Sequence, residues 1–157
     1  MCSSDLVGTQ LYGAGEVGGW KVDVLRNRLF RGVGLEIEGM QKELTDKNAR
    51  GLLRGSDLVV DTFDNSASRM AVQDMARTLK VPCLHIGLSP DYAEVIWDEV
   101  YRIPQADGQD VCDYPLARNL VLLAVAVGSE TILRFLLDGV RQSWTITLAD
   151  LAIRPFA

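Results

Sequence analysis

Residues 55–69 read Gly-Ser-Asp-Leu-Val-Val-Asp-Thr-Phe-Asp-Asn-Ser-Ala-Ser-Arg, and the fold is decided by how this stretch is read. Leu58-Val59-Val60 is a short apolar, β-branched run, as expected of a strand buried on both faces in a parallel sheet. Asp61, Asp64 and Asn65 follow at its carboxyl end, and Ser66-Ala67-Ser68-Arg69 opens a helical pattern. Open α/β sheets bind ligands beyond the carboxyl ends of their strands, beside helix N-termini. Two carboxylates there suit a hard cation such as magnesium, held together with a phosphate-bearing ligand. The plainer expectation is that Asp64 or Asn65 only caps the helix, and position alone does not choose.

Outward from this stretch, strands and helices alternate. Upstream, the spacing predicts a helix over residues 17–30, with Val22, Leu25, Leu29 and Phe30 on one face and Gly32 as its stop. Leu35-Glu36-Ile37-Glu38 alternates like a strand near a sheet edge. Thr45 caps a short helix over 46–53, with Gly55 after its end and the central strand at 57–61. Downstream, a helix over 66–79 is expected to bury Met70, Ala71, Met75 and Leu79. A strand at 83–86 ends at Gly87, and strands at 92–97 and 100–103 read as a hairpin. Cys83 and His85, the one histidine, lie in the 83–86 strand and are expected in the core rather than in chemistry. Pro115 opens a helix over 116–137, apolar around most of its circumference and so expected against the sheet or a partner subunit. Strands at 144–148 and 151–154 close the chain. The order predicts one α/β domain over residues 1–157, a Rossmann-like three-layer sandwich. Its sheet is expected to be mainly parallel, with extra antiparallel strands towards the C-terminus.

Bulk composition narrows the function classes. The chain has 157 residues, 48% of them apolar, with 16 basic against 21 acidic side chains. That balance carries no nucleic-acid footprint. Cys2, Cys83 and Cys112 are odd in number and widely spaced, with no Cys-x-x-Cys pair, so neither a zinc site nor a disulfide framework is expected. A cytoplasmic, reducing compartment follows as the default. No signal-peptide pattern opens the sequence. The longest apolar run, residues 120–127, is too short to span a bilayer, so no membrane role is expected.

Gly13-Ala14-Gly15-Glu16-Val17-Gly18 matches the dinucleotide pattern G-x-G-x-x-G, with acidic Glu36 and Glu38 downstream at ribose-contact distance. This is the basis of one alternative, an NAD-dependent dehydrogenase. That motif needs a buried strand before it, and Val7-Gly8-Thr9-Gln10-Leu11-Tyr12 is a poor one. The plainer reading is a glycine-rich loop entering a helix.

Several segments together resemble the ThiF/MoeB/HesA adenylyltransferases, bacterial relatives of ubiquitin-activating enzymes. They are Val17-Gly18-Gly19-Trp20-Lys21-Val22, then Gly55 to Asp61 with Asp64-Asn65 and Arg69, then Val81-Pro82. The likeness covers about residues 7 to 140, and its most specific element is the Asp-Asn-x-x-x-Arg pattern from Asp64 to Arg69. The resemblance implies ATP and magnesium as cofactors and adenylation of the C-terminal carboxylate of a small ubiquitin-like or sulfur-carrier protein. It also implies a homodimer. By the same resemblance Lys21 pairs with ATP's phosphates, Asp64 holds magnesium, and Asn65 and Gln10 help fix the nucleotide. Cys112 stands near where some members carry the cysteine that accepts the activated carrier, although Asp110 and Asp113 beside it would raise a thiol pKa. The alternative within the same fold is a non-catalytic module that binds the carrier or dimerises.

The departures carry information too. Residues 5–10 keep Gln10 of the family's Asn-Leu-x-Arg-Gln segment but have no arginine, and a guanidinium's two-pronged phosphate contact is not replaced by lysine. The family's zinc-binding cysteine pairs are missing from the sequence. Its first strand, nucleotide glycine loop and ribose-binding acid would precede residue 1. The opening residues Met-Cys-Ser-Ser-Asp-Leu match what a common sequencing-adapter tail encodes from a GTG start. The reading frame is therefore expected to be an N-terminally cut, incomplete copy of such an enzyme.

Overall fold

Trp20 and Gly34 bracket the first helix, α1 (Lys21–Val33), of the computed structural model, which describes residues 13–104 and 117–156. The chain divides into two units, residues 1–43 and 44–157. In the first, a 3₁₀ turn (Ala14–Glu16) precedes α1. Gly18 has φ +85 ahead of the helix, so α1 starts at Lys21 rather than at residue 17. Its end also differs from expectation. Gly34, at φ 70, takes the left-handed cap and donates its N–H to the Phe30 carbonyl at 2.9 Å, whereas Gly32 lies inside the helix. Residues 35–38 form no strand. Alternation makes a strand only where a neighbouring backbone takes its hydrogen bonds, and among the described residues of this unit none does.

The second unit holds α2 (Asp46–Leu53), β1 (Val59–Asp61), α3 (Ser66–Leu79), β2 (Cys83–Leu88), β3 (Tyr92–Trp97), α4 (Ala117–Asp138), β4 (Trp144–Thr147) and β5 (Ala152–Pro155). The strands form one five-stranded sheet in sequence order. β1 pairs parallel with β2 across the α3 crossover, in register Val59 with Cys83 and Asp61 with His85. The remaining pairs, β2–β3, β3–β4 and β4–β5, are antiparallel. The α/β, Rossmann-like expectation holds, with a smaller parallel part than the sequence suggested.

Alternate residues of the sheet face two different layers. Val59 and Cys83 pack with Val72 and Ala76 of α3 and Leu53 of α2. Leu84, Val95 and Trp97 point the other way, towards Ile132 and Phe135 of α4, while Ala93 and Ile146 meet Leu120 and Ala124. Helices thus cover both faces, which is the three-layer arrangement. Val60 is 40% exposed, so β1 is covered on one face only. α4 packs on β2, β3 and β4.

Three further expectations are corrected. Residues 100–103 form no strand, because the amides of Val100 and Tyr101 turn back onto the Trp97 carbonyl. The hairpin partner of β3 is instead β2, reached through a tight turn in which Ser89 N–H donates to the Tyr92 carbonyl. Met70 is exposed, and α3 buries Ala71, Val72 and Ala76 together with Arg69 and Gln73. Helix α4 buries only one side. Leu122, Val125, Leu133, Leu136 and Leu137 are exposed, and the helix is long and apolar enough to cross a membrane by length and composition alone. The uninterrupted apolar run understated that length.

Gly128 of α4 lies against β2, where an added Cβ would stand 2.7 Å from Ile86 Cδ1. Gly128→Ala asks only the tip of Ile86 to move and removes a helix glycine, so stability should change by less than about 1 kcal/mol. Gly128→Val overpacks the same contact and should destabilise by about 1–3 kcal/mol in urea denaturation. Equal midpoints for the two variants would show that the helix does not approach the sheet this closely.

Candidate functional site

The site grows from the end of β1. Asp61 is buried, and its Oδ1 accepts the Phe63 N–H at 2.9 Å, which turns the chain out of the strand. Phe63 packs into the α2–α3 core, so the turn is anchored at its apolar residue as well. Asp61 Oδ2 accepts from Arg69 Nη1 at 3.2 Å and lies 2.7 Å from His85 Nδ1. Arg69 continues to the Tyr101 hydroxyl at 3.1 Å and the Ile86 carbonyl at 2.8 Å. A buried carboxylate with both oxygens engaged is a structural hub rather than a free metal ligand.

Two residues beyond Phe63, Asn65 is the N-cap of α3, with its side-chain oxygen accepting Ser68 N–H at 2.8 Å. Its Nδ2 donates to Asp64 Oδ1 at 3.2 Å. The capping reading is therefore correct for Asn65, whose amide nitrogen also orients Asp64. Asp64 itself is exposed, and its Oδ2 takes no hydrogen bond from a described residue. Of the carboxylates at the strand tip, Asp64 is the one available to a ligand.

No group of three or more His, Cys, Asp or Glu among the described residues could by itself hold a metal ion. One outward carboxylate beside a helix N-terminus fits magnesium in its usual mode, in which phosphate oxygens and water complete the shell. The donor set therefore fits a magnesium nucleotide and does not fit a free-standing metal centre.

Behind the hub lies a second polar layer. Asp98, after β3, accepts from Gln73 Nε2 at 2.8 Å and Arg77 Nε at 2.7 Å, and its Oδ1 lies 3.3 Å from His85 Nε2. Burial alone would raise the Asp98 carboxyl, but the hydrogen bonds from Arg77 and Gln73 outweigh it and hold the group below its ordinary value. A lowered folded value means stability that is complete above the unfolded value of about 4 and lost as pH falls through the folded one. Asp98→Asn should therefore flatten the acid limb of a stability–pH curve below about pH 4, measured by urea denaturation at each pH. An unchanged acid limb would remove Asp98 from that role. Cys83, on the same sheet face, has its thiol pushed up to about 12 by burial, reinforced by Asp61 and Asp98, so it is an inert core thiol.

Arg69 stands out in sequence through the Asp-Asn-x-x-x-Arg pattern, but the layer around His85 does not. A signal existed: Arg69, Gln73 and Arg77 repeat every four residues and form a polar stripe on the side of α3 that faces the sheet. His85 is a satisfied buried residue, as expected, with its ring stacked on Tyr101 at 4.0 Å between centroids.

Three predicted site residues remain, Lys21, Gln10 and Cys112. Lys21 is the first residue of α1 in the first unit, half-buried and without an ion pair to a described residue. Gln10, Cys112 and the segment Val7 to Tyr12 fall outside the described residues. Across residues 13–18 the Gly13 amide donates to the Glu16 carboxylate at 2.7 Å, and Glu16 pairs with Arg28. The Gly13 amide is thus already engaged, as in a glycine-rich entry to a helix, and the strand that a dinucleotide loop needs before it falls outside the described residues.

A family model described as the ThiF family matches residues 3–97. The chain belongs to the ThiF family. Among curated proteins, no significant match is found. Solved structures share the fold of this ThiF-family chain. E. coli MccB with MccA-N7isoASN superposes with a TM-score of 0.74 at 12% identity, covering 93% of this chain and 51% of that one. E. coli MccB with AMPCPP and MccA gives 0.72 at 13% identity over 93% and 50%. PaaA gives 0.67 at 15% identity over 93% and 57%. The chain thus spans about half the length of the solved structures it matches.

Proposed function

We propose that this ThiF-family chain carries the magnesium-nucleotide end of an adenylation site. Its reaction would activate the C-terminal carboxylate of a small ubiquitin-like or sulfur-carrier protein, or of a peptide. The observation that carries the reading is Asp64, the one outward carboxylate at the tip of β1, fixed by Asn65 at the start of α3. Family membership supports it, as do the MccB structures that hold ATP in one case and AMPCPP with MccA in another.

In this reading a carrier carboxylate oxygen attacks the α-phosphorus of ATP. The bond from that phosphorus to the bridging oxygen breaks, and pyrophosphate leaves. Magnesium, when bound, supplies positive charge to the phosphates. The chain's part is positioning: Asp64 offers an acceptor to the cation, and the N-terminus of α3 offers its positive end to the phosphates. The exposed apolar side of α4 is where the homodimer implied by the family resemblance would bury surface.

The test is ATP–pyrophosphate exchange by the full chain, with a small ubiquitin-like carrier and the same carrier amidated at its C-terminus. Exchange is expected only with the free carboxylate and only with magnesium present. Partner binding without exchange would favour the non-catalytic module instead.

A further inference from the structure

Asp61 has two oxygens with separate tasks. Oδ1 holds the Phe63 amide, on the short path from β1 to Asp64, while Oδ2 is gripped by Arg69 and faces His85 Nδ1. A carboxylate turns about its Cβ–Cγ bond as one plane, so whatever fixes Oδ2 also aims Oδ1. His85 can fix it because it cannot move. Its ring is fully buried, lies within 9° of parallel to the Tyr101 ring, and has Nε2 against Asp98.

We propose that His85 is a positioning residue for the Asp64 site, acting through Asp61 and the Phe63 turn. The inference rests on Asp64 being a magnesium-nucleotide ligand. His85 touches neither Asp64 nor Asn65. Its influence travels along two contacts of hydrogen-bond length, ring nitrogen to carboxylate and carboxylate to the Phe63 amide, and then along the backbone to Asp64. From the other end Asn65 holds Asp64 against the helix cap, so the ligand's place is set from both sides. The second contact, from Nε2 to Asp98, ties the ring to the α3 stripe and steadies it without reaching the turn. The two nitrogens therefore serve different ends, and only Nδ1 serves the site.

Two substitutions separate them. The side-chain amide nitrogen of asparagine stands near where Nδ1 stood, and that of glutamine near where Nε2 stood. Both remove the ring and its stacking on Tyr101, so a purely structural role would weaken both alike. The measurement is binding of Mn²⁺ with AMPCPP to the full chain, followed by loss of the free Mn²⁺ resonance, with a thermal melt of each variant. His85→Asn should keep affinity within about twofold of the parent, while His85→Gln should lose about tenfold, the scale of outer-shell effects on metal sites. Asp61→Asn should lose a similar factor, and combining it with His85→Gln should add little, because the two act in one chain.

Equal affinities for the Asn and Gln variants, or losses that simply follow the melting temperatures, would overturn the proposal. If Asp64→Ala leaves the binding of Mn²⁺ with AMPCPP unchanged, the reading of Asp64 fails and the inference falls with it. If Asp64→Ala abolishes binding and His85→Gln does not weaken it, only the inference fails.

Discussion

Arg69→Met is expected to destabilise the protein by about 3–5 kcal/mol, the range for breaking a buried ion pair from one side. The carboxylate of Asp61 has no exposed surface and would keep only His85 and the Phe63 amide. Removing the guanidinium also orphans the Tyr101 hydroxyl and the Ile86 carbonyl, each an additional desolvated polar group. Arg77→Met is the matched control. Its ion pair with Asp98 is short, but the arginine side chain is 49% exposed, so solvent screening should hold the loss below about 1 kcal/mol. Guanidinium denaturation of the two variants reads the difference directly. Equal midpoints would mean that Asp61 is not the buried hub described. Adding Asp61→Asn to Arg69→Met should recover part of the loss, since the buried charge is then gone.

Asp64→Ala has the opposite profile. The residue is exposed and its one hydrogen bond comes from a neighbouring amide, so stability should move by less than about 0.5 kcal/mol. Carrier-dependent ATP–pyrophosphate exchange should fall by roughly 10²–10³-fold, the usual consequence of removing one electrostatic stabiliser from a reacting centre. Asn65→Ala supplies the comparison, because loss of the N-cap of α3 should cost about 1 kcal/mol. An Asp64→Ala protein with undiminished exchange would sink the assignment of the strand tip. A variant that loses stability along with exchange would show that Asp64 is built into the fold.

Both expectations turn on a distinction the sequence leaves open. Asp61 and Asp64 are two similar carboxylates at one strand tip, three residues apart in sequence. One is a buried hub and the other an outward carboxylate because α3 closes over Asp61 and leaves Asp64 outside. The family pattern singled out Asp64 and Arg69. It was silent on His85, Asp98 and Tyr101, whose grouping depends on β2, the turn after β3 and the sheet-facing stripe of α3.

What the sequence determined by itself was local. Thr45 and the following residues delimit α2, the pattern beginning at Ser66 delimits α3, and the apolar, β-branched character of residues 92–97 delimits β3; each has the bounds the structure shows. Capping, turn residues and periodicity act within a few residues, so they are legible without the rest of the chain. Only the tertiary structure decided that residues 35–38 and 100–103 form no strand, which neighbour β3 pairs with, and which carboxylate points outward. A strand is made by its partner and a buried charge by what surrounds it, and both are supplied by residues distant in sequence.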